Sequence, residues 1–69
     1  MVEVFKTNVQ RAEGARQLLQ KLTTHFPAYK INFDLTDCDN ILRVEGDDIL
    51  PCIIIGLLGE NAYECAVLE

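Results

Sequence analysis

The chain has few cations, few aromatics and no paired cysteines, and each shortage removes a class of function. Six Lys and Arg against eleven Asp and Glu leave a net charge of −5, and no basic residues cluster. Nucleic acid and anionic membranes are bound through a cationic footprint, so neither is expected as a partner. Cys38, Cys52 and Cys65 are odd in number and none is close to another in sequence. A disulfide framework wants an even count, and a zinc or copper site wants ligands in pairs such as CxxC. Three free thiols in a cytoplasmic protein are expected instead, and His25 cannot complete a site alone. The chain has no Gly-rich phosphate loop and no GxSxG, and its one His has no acid or thiol at a motif spacing. An enzyme is therefore not expected, nor any cofactor. The acids Asp34, Asp37, Asp39, Asp47 and Asp48 read as a solvated rim. The longest uncharged run, residues 49–59, is too short to span a bilayer. Glu3 stands where a signal peptide would carry positive charge.

What remains is one small domain, residues 1–69, with no repeat, linker or biased tract. A chain of this size buries only about 60% of the surface its unfolded form exposes, so its stability is thin.

Residues 30–46 (KINFDLTDCDNILRVEG) read as a β-hairpin. Ile31, Phe33 and Leu35 alternate with polar residues, and Leu42 and Val44 alternate with Ile41, Arg43 and Glu45. Pairing Leu35 with Leu42 and Phe33 with Val44 requires an even loop, with residues 37–40 preferred over Cys38-Asp39 alone.

Before the hairpin, residues 2–7 form a first strand. Val2 and Val4 share one face and Phe5 the other, so the open side of the sheet is not wholly polar. Thr7-Asn8-Val9-Gln10 matches a capping box, with Asn8 an equally good cap. The helix that follows carries Ala12, Ala15, Leu18, Leu19, Leu22 and Phe26 on one face and ends before Pro27. Gly14 interrupts it at a cost of about 1 kcal/mol relative to Ala and needs a reason.

After the hairpin, a second helix is expected over residues 51–58, started by Pro51 and stopped at Gly59. Leu50, Ile54, Leu57 and Leu58 form its inner face. Its outer face, Cys52, Ile55, Gly56 and Gly59 flanked by Ile53, is apolar where a two-layer fold should meet water. A last strand covers residues 63–68, with Cys65 and Val67 on one side. The order β-α-β-β-α-β predicts an α+β ferredoxin-like sandwich: a four-stranded antiparallel sheet with both helices on one face.

Four stretches now resemble the heavy-metal-associated domain, the fold of copper metallochaperones. They are Phe5-Lys6-Thr7-Asn8-Val9; Ala15, Leu18 and Leu22; Ile41-Leu42-Arg43-Val44-Glu45; and Leu57-Leu58-Gly59 followed by Tyr63-Glu64-Cys65-Ala66-Val67-Leu68. The resemblance covers nearly the whole chain and implies the ferredoxin-like fold. In that family a CxxC between the first strand and first helix binds a soft cation. Here either Arg11 and Gly14, or Asn8 and Arg11, stand at those positions, so no thiol is supplied and a metal ion is not expected.

Two readings follow. The first is a non-enzymatic module that meets a protein partner, or itself as a homodimer, through Cys52, Ile53, Ile55 and Gly56 on the second helix. The second is heavy-metal binding or trafficking through non-standard ligands: Cys38 with Asp37 and Asp39 at the hairpin tip, and Cys65. The first loop, the hairpin tip and the loop before the last strand are expected at one end of the sheet. A small-ligand sensor is a third class, suggested by fold analogy alone.

Overall fold

The computed structural model describes residues 1–36 and 38–68. Its elements run in the order β1 (Val2–Thr7), α1 (Ala12–His25), β2 (Lys30–Asp34), β3 (Ile41–Glu45), α2 (Pro51–Glu60) and β4 (Cys65–Val67). The strands form one antiparallel sheet in the order β2-β3-β1-β4. Phe5, Leu42 and Val44 on one face of the sheet meet Leu18 and Leu22 of α1 and Ile54 and Leu58 of α2 in a single buried core. The chain is a ferredoxin-like βαββαβ sandwich, as its element order predicts. No helix among the described residues is long and apolar enough to cross a membrane.

The pairing registers correct two expectations. Phe5, expected on the open face, is fully buried between Leu42 and Val67. Val2 and Val4 take the open face instead. Phe5 pairs with Leu42 of β3 and Val67 of β4, which lie in or against the core, and these pairings set the strand's inward row.

In the hairpin, Phe33 pairs with Leu42 and Ile31 with Val44, two residues away from the expected register. An even shift keeps every side chain on its expected face, so the inward set is unchanged. The loop is longer than expected because β2 stops early. The Asp34 carboxylate accepts hydrogen bonds from the Thr36 N–H (3.1 Å) and hydroxyl (2.6 Å), a local turn that competes with the ladder.

Both helices differ at their ends. The capping box is not made: α1 begins at Ala12, with Arg11 as an extended N-cap residue that makes no side-chain cap bond. Ala12, placed on the apolar face by its spacing, lies in this first turn and is exposed. The helix gives way at Phe26, before Pro27, as expected.

α2 passes Gly59 and ends in a pair of reversed bonds, Tyr63 N–H to the Leu58 carbonyl and Ala62 N–H to that of Gly59. Ala62 takes the left-handed conformation of this motif, at φ 67°. At the other end Leu50 is 55% exposed and Ile49 fills the core in its place. Ile55, expected on the outer face, is half-buried against the core.

Candidate functional site

Three loops meet at one end of the sheet, as the topology predicts, and hydrogen bonds from the end of β1 hold them together. The Thr7 N–H donates to the Asp39 carbonyl (3.1 Å) and its hydroxyl to that of Asn40 (2.7 Å). The same hydroxyl accepts the Val9 N–H (3.1 Å), which is what Thr7 does in place of capping α1. Asn8 exchanges two bonds with Glu64: its N–H donates to the Glu64 carbonyl (3.2 Å) and its Oδ1 accepts the Glu64 N–H (2.8 Å). Asn8 is thus a fastener between the first loop and the approach to β4.

Gly14 is explained by Tyr63. A Cβ at position 14 would lie 2.5 Å from the Tyr63 hydroxyl oxygen, so the ring rests where any other residue would project. The Gly14 signal was legible in the sequence, but its cause lies 49 residues on in the chain. Tyr63, Gly14, Asn8, Arg11 and Gln17 border an open hollow of about 360 Å³. Arg11 is exposed at its rim.

The thiols at this end do not converge on a site. Cys38 and Asp39 are exposed on the hairpin loop, and Asp37 lies outside the described residues. Cys65 is half-buried, facing the core beside Val67. Burial pushes its thiol up to about 11, so it stays protonated at neutral pH and is a poor source of thiolate. Among the described residues no three His, Cys, Asp or Glu are placed to hold a metal ion.

The outer side of α2 is the other candidate. Cys52, Ile53 and Gly56 are exposed, with Ile53 at 46%, whereas Ile55 turns inward. A Cβ at Gly56 or Gly59 would meet nothing within 4 Å, so the backbone there is bare. Phe26, Ile53, Gly56 and Leu57 border a shallow groove of about 210 Å³ between the end of α1 and α2.

Glu60 is the one charged residue of the helix. Exposed acids stand at both ends: Asp47 and Asp48 before it, Glu60 and Glu64 after. The sequence pattern identified the face but missed Phe26 as a wall of the groove and Leu50 as an exposed flank. Both follow from chain turns that periodicity does not encode. No family model, curated protein or solved structure matches the chain.

Proposed function

We propose that this chain is a non-enzymatic protein-interaction module, of heavy-metal-associated type without that family's thiolates, which docks an apolar helix edged by Lys or Arg along α2. The observation that carries the reading is the exposed, uncharged outer side of α2, with Ile53 projecting beside a groove and bare backbone at Gly56 and Gly59. Small residues let a second helix approach closely, and an exposed apolar crest gains from being covered.

The acids at both ends of α2 select the partner. A second copy would set Asp47, Asp48 and Glu60 against one another, whereas basic residues beside an apolar stripe would complement them. The three free cysteines suit a reducing, cytosolic setting.

A synthetic Leu/Lys amphipathic helix tests this, with a Leu/Glu helix of the same stripe as control. Nuclear magnetic resonance shifts are expected in residues 50–60 with the Leu/Lys helix alone, and are lost in Ile53→Glu. Equal binding of both peptides, no binding, or shifts confined to the sheet would overturn the proposal. Stoichiometric sub-micromolar binding of Cu(I) or Zn(II), abolished by Cys38→Ser, would replace it with metal traffic.

A further inference from the structure

β2 is an edge strand, and among the described residues no strand pairs with its outer side. Such edges invite pairing with another chain, and proteins guard them with charge. Here the guards are Lys30 and Asp34, one at each end of Lys30-Ile31-Asn32-Phe33-Asp34. The segment is complementary to its own reverse. Laid antiparallel against a second copy about Asn32, each Lys30 faces Asp34 of the other chain. Each Ile31 faces Phe33, and Asn32 faces itself.

We propose that the outer edge of β2 pairs with the same edge of a second copy in this register, giving a continuous eight-stranded sheet. The charge pattern favours this occupant over others. A strand that brings Lys to Lys30 or an acid to Asp34 is repelled, and directly opposed unlike charges contribute favourably. Shifting the self-pairing by two residues leaves only three pairs and no Lys–Asp contact. β4, at the other edge, has three residues and no charge.

Two further observations agree with a covered edge. Ile31, Phe33 and Leu35 are only half-buried although they pack against the core, because their outer sides lie at the sheet's margin. Above them runs the flank of α1 turned away from α2. Gly14 and Lys21 mark the near flank through Tyr63 and Asn61. Helical spacing puts Arg16, Leu19 and Thr23 opposite them. Leu19 is half-buried yet outside the core, beside an open hollow of about 470 Å³.

Antiparallel pairing about Asn32 keeps both helical layers on one side of the long sheet and sets these two flanks face to face. α1 packs over β2 and α2 over β4, so both α2 faces stay free at the outer ends. The inference is therefore independent of the α2 reading. One strand pair and one helix flank make a small interface, below about 1,200 Å², and small interfaces are weak.

Sedimentation equilibrium at hundreds of micromolar is the matching measurement. Wild type is expected to run as a dimer. Lys30→Asp and Asp34→Lys are each expected to run as monomers, because like charges then meet across the axis. Mixed one to one, they are expected to recover the dimer mass, since every charged contact becomes complementary again. Ile53→Glu should dimerise as wild type does.

Asp34→Lys also loses its bonds to Thr36. An isotope-filtered contact between Ile31 of one copy and Phe33 of the other, in mixed-label wild type, therefore serves as a second readout. A monomeric wild type, a dimer that survives Lys30→Asp, or a dimer without the Ile31–Phe33 contact would overturn the proposal.

Discussion

The two helices rest on the same face of one sheet and present opposite surfaces to water. α1 exposes Glu13, Arg16, Gln17, Gln20 and Lys21, the polar side expected of a helix that buries one stripe. α2 exposes Cys52, Ile53, Gly56 and Gly59 and carries no charge before Glu60. The core does not require this: Ile54 and Leu58 alone are its fully buried side chains on α2. Apolar residues beyond what packing needs are the basis of the docking surface proposed along α2.

The contrast between core and crest breaks most visibly under truncation. Leu22→Ala, at a fully buried site of α1, is expected to cost about 2–5 kcal/mol in urea unfolding. Ile53→Ala on α2 is expected to stay within about 0.5 kcal/mol. Comparable losses would mean that Ile53 packs in the core and that α2 has no free face.

A smaller effect separates the helix starts and ends. Gly14→Ala alone is expected to destabilise by about 1 kcal/mol, because the new methyl displaces the Tyr63 hydroxyl. With Tyr63→Phe present, where only ordinary ring contact remains, the same change should stabilise by about 1 kcal/mol through helix propensity. Additive effects in this double-mutant cycle would detach Tyr63 from α1.

At the end of α2, Ala62→Gly is expected to add about 0.5–1 kcal/mol, since glycine takes the positive φ without a Cβ penalty. A loss there would mean that the reversed bonds are not made.

The smallest effect is nil at neutral pH. Burial holds the Cys65 thiol near 11 in the folded state, against 9.0 for an unperturbed thiol. The folded state thus favours the protonated form. Stability from this group is intact below pH 9 and falls as pH rises from 9 toward 11, where the unfolded chain releases its proton first. Cys65→Ala should flatten that part of the stability profile relative to wild type. An unchanged slope would place the thiol in water.

Much of the fold was legible because it rests on local pattern. Alternation marked the faces of the hairpin, three-and-four spacing marked α1, and Pro27 marked its end. What was misread depended on contacts that alternation does not encode, one of them local and the others distant. The hairpin register turned on Asp34 choosing Thr36, and on Thr7 of β1 holding the loop at Asp39 and Asn40. Phe5 and Val4 are both plausible core residues until β3 and β4 fix which row is inward.

At the site, Asn8, Arg11 and Gly14 were singled out from the sequence for a resemblance. Asn8 and Gly14 turn out to serve contacts with Glu64 and Tyr63 that no local window contains. The exposed side of α2 was legible except at Ile55, which flanks the inward stripe and is half-buried against the core.

The position of β1 has a consequence for the order in which the molecule is built. It is made before the other three strands of the sheet, yet it occupies the middle, between β3 and β4. Its partners at residues 41–45 and 65–67 emerge much later. Until then Phe5 and Val4 have no strand neighbours, and β1 waits as an unpaired apolar segment. Final locking falls to Thr7 and Asn8, whose partners lie 33 and 56 residues downstream. Such long-range closure slows folding. The stitched end of the sheet therefore closes only after residues 39, 40 and 64 have been made.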